Sequence, residues 1–308
     1  MRLKMCEGFV ALACLTQGAL SAQWLHYPTA GIPKLPNGKP NLSARAPRTA
    51  AGKPDFSGIW IESDVMQDAC PSGEAVCIRQ EGLPARAVNI GVSSPEQLAQ
   101  IRQDSGFHLV DLLPYRPWAA DLVNQRRTAN STGVGAAGEK LDPHVRCLPP
   151  SFPRAWAFPQ YKKIVQTPGL IIVLHEFEAS YRQIFTDGRP LPTDPQPSWN
   201  GYSTGRWDGD TLVVETIGFR DDLWLDMSGS PLTGAGKVTE RFRRVNYGKL
   251  EIQVTVDDPK AYTKPWTVRM DQSIVLNTDL LDDICLENER DVAHYVGNSP
   301  AGGRVSGQ

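Results

Sequence analysis

The chain has 308 residues, with 32 Lys and Arg against 34 Asp and Glu and a formal net charge of -2 at pH 7. There is no surplus of positive charge to neutralise a run of phosphates or coat an anionic membrane, which excludes nucleic acid as the expected partner. Its 25 prolines and 27 glycines against 5 methionines favour strands joined by many turns over a helical bundle, and the length fits one large all-β domain.

The first residues carry Arg2 and Lys4, then an apolar run from Gly8 to Leu20, then Ser21-Ala22 ahead of Gln23. This is the order of a secretory signal peptide over 1–22, and the run falls short of the roughly 20 residues that cross a bilayer as a helix. A periplasmic or secreted location is expected, with no membrane span elsewhere. From Gln23 to Ser57 the chain nearly repeats itself: Gly38-Lys39-Pro40-Asn41-Leu42-Ser43 returns as Gly52-Lys53-Pro54-Asp55-Phe56-Ser57. Residues 23–57 read as an extended arm lying over the domain, with Leu42 and Phe56 as anchors. A disordered linker is the alternative for Gln23 to Lys39.

A single domain is expected over 58–298, with a helical insertion at 95–130 and a flexible tail at 299–308. Within the insertion, Pro95 to Arg102 and Pro117 to Thr128 each open with a proline suited to a first helical turn and read as two short peripheral helices. Gly133 to Leu141 reads as a Gly/Ala-rich loop. From Tyr161 onward, short β-branched runs alternate with turn signals at the roughly 8–12-residue spacing of an antiparallel meander that becomes a sandwich or barrel. Thr167-Pro168-Gly169-Leu170 suits a type II turn. Asp208-Gly209 suits a two-residue type I′ hairpin loop, and Asn246-Tyr247-Gly248 a three-residue loop with Gly248 left-handed. About eight or nine strands result, enough for a closed or nearly closed barrel that leaves few edges exposed.

Removal of the leader leaves Cys70, Cys77, Cys147 and Cys285, for which three pairings are possible. The short Cys70–Cys77 spacing suits a local bridge, and elimination then joins Cys147 to Cys285. The alternative is a zinc site drawing on His144, Cys147, Cys285 and His294.

Several stretches together resemble a family of exported bacterial proteins. They are Pro54-Asp55-Phe56-Ser57-Gly58-Ile59-Trp60, Arg146-Cys147-Leu148-Pro149, Arg182 to Pro190, Gly205 to Asp210, Val238-Thr239-Glu240-Arg241-Phe242, Asp257 to Tyr262 and Glu287-Asn288-Glu289-Arg290-Asp291. The resemblance implies export and a lipocalin-like β-barrel and supplies no catalytic residues. Relatives tend to carry His-Ser before the Val-Thr-Glu-Arg stretch, where this chain has Leu232-Thr233.

Nucleophile motifs, phosphate loops, dinucleotide-binding glycines and the His-Glu-x-x-His zinc helix are absent. No cofactor or metal is expected. What remains is acid/base chemistry in a barrel interior. If Asp208-Gly209 sets the register, Tyr202 and Glu215 are cross-strand partners with Arg206 on their face, and this trio points either into a cavity or to water. The Asn246-Tyr247-Gly248 loop sets Glu240 opposite Val254, among apolar neighbours. That makes Glu240 the leading candidate for a functional carboxylate, the alternative being a structural ion pair with Arg182 or Arg206. Arg182, His175, Trp266, Arg290 and His294 are candidates to orient a ligand. For His175 a hydrogen-bonded core position is the competing reading, and for Asp257-Asp258 a turn competes with calcium. The expected function is binding of a small aromatic or lipid-like molecule in the barrel. Two versions stand: metal-independent lyase, isomerase or hydratase chemistry, and a non-catalytic carrier or sensor.

Overall fold

Strict alternation of buried and outward residues along Lys237–Arg244 and Lys249–Asp257, with Glu240 and Arg244 the charged members of the otherwise apolar buried face, sets the pattern from which the architecture is built. The computed structural model describes residues 27–63, 113–131, 142–226, 228–285 and 287. The signal peptide, Cys70, Cys77, the helix expected from Pro95, the Gly133–Leu141 loop, Arg290, His294 and the tail all lie outside the described residues.

In chain order the strands are β1 (Gly58–Glu62), β2 (Lys162–Thr167), β3 (Leu170–His175), β4 (Ser180–Phe185), β5 (Tyr202–Asp208), β6 (Thr211–Ile217), β7 (Leu223–Trp224), β8 (Pro231–Leu232), β9 (Lys237–Arg244), β10 (Lys249–Asp257), β11 (Trp266–Arg269) and β12 (Gln272–Val275). The ring runs β10–β12–β1–β2–β3–β4–β5–β6–β9 and back to β10, so nine strands close a barrel of the lipocalin-like kind. β11 prolongs β12 along β10, and across the break between them the Met270 N–H donates to the Ile252 carbonyl at 2.8 Å. A ring with an odd number of strands cannot alternate direction all the way round. The mismatch falls at β4–β5, which pair in parallel over Ile184–Ser203 and Phe185–Thr204, joined by a long crossover in place of a hairpin. Every other pair in the ring is antiparallel.

Two of the three loops read from sequence differ in detail. Gly169 takes φ +77°, as a type II turn between β2 and β3 demands. The β5–β6 loop, however, is Gly209-Asp210, because Asp208 pairs with Thr211. Gly209 alone of the two has positive φ, the pattern of a type II′ turn, and this leaves the Asp210 carboxylate to bind Arg48 of the arm. The Asn246–Gly248 loop has the expected register, yet Gly248 is not left-handed. A Cβ there would lie 2.8 Å from the Cβ of Leu42, so the glycine serves the close approach of the arm.

The arm is described from Tyr27 onward, and there its repeat is structural. Each copy forms a miniature hairpin, bridged at Lys34–Pro40 and again at Arg48–Pro54, with matching backbone bonds from Leu35 to Lys39 and from Thr49 to Lys53. Phe56 anchors the second copy, buried and stacked on Trp207 at 5.5 Å, whereas Leu42 stays largely exposed on Gly248. Arg244 tethers the same stretch by donating to the carbonyls of Asp55 and Tyr247. One helix, α1 (Pro117–Ser131), packs beside the β7–β8 ribbon, burying Ala119 and Val123 and placing Arg126 over Trp224. Asp258 turns the chain after β10 by accepting from Thr233 and Lys260, which is the turn reading of the Asp257-Asp258 pair.

Cys147 and Cys285 are joined by a disulfide with Cα atoms 5.3 Å apart, closing a loop with a sequence separation of 138. A loop of this length is worth about 4 to 5 kcal/mol in the chain-entropy treatment. Replacing both cysteines by alanine is expected to lower the unfolding free energy by about that amount in urea titration, and non-reducing peptide mapping should recover the Cys147–Cys285 pair.

Candidate functional site

The register expected for β9 and β10 places Glu240 opposite Val254 inside the barrel, with 0% of its surface exposed. Its partner is Arg182 from β4, in a two-pronged ion pair: Nη1 donates to Oε1 at 3.0 Å and Nη2 to Oε2. The guanidinium is completed by Ser203 from β5 and Thr216 from β6 at 3.0 and 2.8 Å. Glu240 also accepts from the indole N–H of Trp156 at 2.8 Å. Trp156 belongs to a short helical turn, Arg154–Ala157, that lies within the barrel and is held by a buried Arg154–Asp142 pair. Its carbonyl takes a bond from Gln272 of β12, and its ring meets Phe152 and Phe242 edge to face. The middle of the barrel is thus filled by Phe152 and Trp156. Every polar atom of the Glu240–Arg182 pair is engaged, which is the structural ion-pair reading of Glu240.

Tyr202, Arg206 and Glu215 do not join it. Moving the β5–β6 loop by one residue moves the pairing by two, which sets Tyr202 opposite Ile217 and Glu215 opposite Thr204, so the expected Tyr202–Glu215 pairing does not form. A shift of two preserves the face, and that face is the outer one: Tyr202 and Arg206 are exposed and Glu215 is paired with Lys237. Trp266 is a buried core residue, edge-on to Tyr262 at 5.5 Å. The zinc reading loses both sulfurs to the disulfide, since a bridged cysteine has no thiolate to offer.

The unspent polar chemistry lies where β1 and β3 finish and β2 and β4 begin. Lys162 and His175 are direct cross-strand partners there, both turned inward and 0% and 1% exposed. Lys162 donates to the Phe158 carbonyl and makes no ion pair among the described residues. Burial, opposed in part by the charges of Glu62 and Glu176, pulls its pKa down to about 7. Burial and then the nearby Lys162 charge pull His175 down to about 3. His175 lies in the core, where the Phe177 backbone is close enough to raise its proton affinity, although neither imidazole nitrogen makes a hydrogen bond of good geometry among the described residues. At the rim, half-buried His144 lies 4.5 Å from Phe158 and 4.4 Å from Phe177 between ring centroids, with Nδ1 unpartnered and its pKa also lowered, first by burial. The Gln272 and Gln160 carbonyl oxygens and Arg154 Nε add to the unpartnered atoms of this region.

Buried polar atoms without partners are uncommon and mark positions that call for an occupant. Three nitrogen bases whose charge is suppressed wholly or in part by burial, walled by Phe152, Phe158 and Phe177, offer a proton acceptor in Lys162 and hydrogen-bond donors to the carbonyl or hydroxyl group of a bound molecule. The sequence signal for Lys162, an inward position on an apolar strand, is weak because a single lysine is ordinarily solvated. Trp156 was missed because nothing in a Pro- and aromatic-rich stretch says that it enters a barrel. Neither family models nor curated proteins match the chain.

The two buried sets answer differently to substitution. Glu240→Gln should destabilise the fold by about 3 to 5 kcal/mol in chemical denaturation, because the Arg182 charge is left buried without its counter-charge. Lys162→Met should do the reverse at neutral and lower pH. Between about pH 7 and the ordinary lysine value of 10.5, the unfolded chain holds a proton that the folded chain has released, so wild-type stability rises with pH by up to about 1.4 kcal/mol per unit. Below pH 7 the burial penalty is present in full. The methionine variant is expected to be more stable at pH 6 and to lose most of the slope between pH 7 and 9.5, read as Tm against pH.

Proposed function

We propose that the protein is an exported β-barrel that takes a small, flat, largely apolar organic molecule at the Lys162–His175 end and moves a proton on it without a metal. The observation that carries this reading is the pairing of an enclosed, partly neutral lysine with a buried cross-strand histidine whose nitrogens make no hydrogen bond of good geometry among the described residues. A carrier needs one or two polar groups to orient its ligand, whereas an acid/base site needs groups whose proton affinities are pushed apart. Lys162 at about 7 and His175 at about 3 meet the second condition, which favours chemistry over mere storage. Lys162 is then the base, poised near neutral pH, and His175 is the neutral hydrogen-bond donor beside it.

Export is supported by the n-region, apolar run and small-residue site of the leader and by the disulfide. No helix among the described residues is long and apolar enough to cross a membrane. The resemblance to exported bacterial proteins with a lipocalin-like barrel agrees with the closed nine-strand ring. Native mass spectrometry of protein purified from its own cell envelope should show one small organic adduct per chain. The adduct should be lost in Lys162→Met and retained in Tyr202→Phe on the outer face. Retention in both variants would place the ligand elsewhere.

A further inference from the structure

Resting on that reading of the Lys162–His175 end, we propose that Lys162 captures carbonyl compounds as an imine, and that the ligand class is an aldehyde or unhindered ketone on an aromatic or similarly flat apolar body.

The geometry argues for the amine as a nucleophile and not only as a base. A lysine buried for structure alone is expected to meet a carboxylate, as Arg182 meets Glu240 and Arg154 meets Asp142 in this same barrel. Lys162 makes its hydrogen bond to a backbone carbonyl, an acceptor that a neutral amine satisfies as well as an ammonium does, and Glu62 and Glu176 act on it only through their charges. A lysine desolvated in an apolar pocket is the form in which the amine attacks carbonyl carbon. The surrounding surface is aromatic: Trp60 occupies the cross-strand position on β1, Phe158 supplies the carbonyl, and Phe152 and Phe158 both lie within 6.4 Å of the His175 ring. Such walls suit a flat apolar body with its one polar group turned to the amine.

The step balances without an oxidant or cofactor. The Nζ lone pair forms a bond to the carbonyl carbon while the C=O π pair moves to oxygen. The proton on the new aminium passes to that oxygen, which a ring N–H of neutral His175 steadies by donating a hydrogen bond, giving the carbinolamine. Loss of the C–O bond then releases water, whose two protons derive from the amine, and leaves the C=N linkage. His175 is suited to this donation because its ring is neutral and neither nitrogen is held in a hydrogen bond of good geometry among the described residues.

At pH 7 fewer than about one in a thousand exposed lysine side chains is in the amine form, whereas the Lys162 value of about 7 leaves roughly half of its amines neutral. The test is incubation of the full-length exported protein with cinnamaldehyde and sodium cyanoborohydride at pH 7, followed by peptide mapping. The expected result is a reduced adduct on Lys162, formed at least about ten-fold faster than on any exposed lysine. Lys162→Arg should abolish it, and His175→Asn should slow it several-fold while leaving the other lysines unaffected. Cinnamyl alcohol, which has the same body without the carbonyl, separates this inference from the reading beneath it. Stabilisation by the alcohol in wild type but not in Lys162→Met, with no adduct on Lys162 from the aldehyde, would overturn the imine and leave the ligand site standing. Labelling confined to exposed lysines, with no stabilisation by the alcohol, would overturn both.

Discussion

The Arg182–Glu240 ion pair is the constraint to which the rest of the interior is fitted. Enclosing both charges costs several kcal/mol per ion unless geometry and further hydrogen bonds compensate. Here the compensation is distributed: Ser203 and Thr216 complete the guanidinium, and the Trp156 indole completes the carboxylate. Five separate pieces of chain, β4, β5, β6, β9 and the Arg154–Ala157 turn, must hold their positions together for the pair to be affordable. The register of β9 against β10, the seam at β4–β5 and the placement of the tryptophan inside the barrel are therefore linked by one charge pair.

The same requirement explains why the middle of this barrel is full. A barrel of about eight strands has an interior that side chains can fill or that can hold one small ligand. Trp156 and Phe152 take that space, and what chemistry the barrel retains is displaced toward one end. The arm treats the opposite side similarly. Its second hairpin seats Phe56 against Trp207, and Arg244 holds the following strand by backbone carbonyls alone. With no carboxylate among those contacts, burial lowers the Arg244 pKa to about 10. Buried cations in this barrel are thus accommodated in three ways: Arg182 and Arg154 by a counter-charge, Arg244 by carbonyls, and Lys162 by giving up part of its charge.

That last solution distinguishes the Lys162–His175 end. A guanidinium cannot release its proton at ordinary pH, so it must be paired or solvated by dipoles, whereas an amine in the same surroundings responds by neutralising. The unspent nitrogens of His175 and His144 follow the same logic, because burial beside basic groups keeps both rings neutral. Their hydrogen-bonding capacity is left for another molecule.

Much of the barrel was legible in the chain. Period-two alternation in β9 and β10 and a loop of fixed length determined their register, and with it the burial of Glu240, because a slip of one residue would have exposed an apolar face. Cys147 and Cys285 could be paired by elimination. Local pattern did not reach the β5–β6 loop, where Asp208-Gly209 and Gly209-Asp210 are both acceptable and the arm's Arg48 favours the second by binding Asp210. Nor did it settle whether Tyr202, Arg206 and Glu215 face outward, reveal the parallel seam, or choose between Arg182 and Arg206 as the partner of Glu240. Those depend on which strands become neighbours once the ring closes. Lys162 and His175 show the division plainly: each could be placed on a strand from sequence, but their shared loss of charge arises only when β1, β2, β3 and the Phe158 segment together exclude water from both.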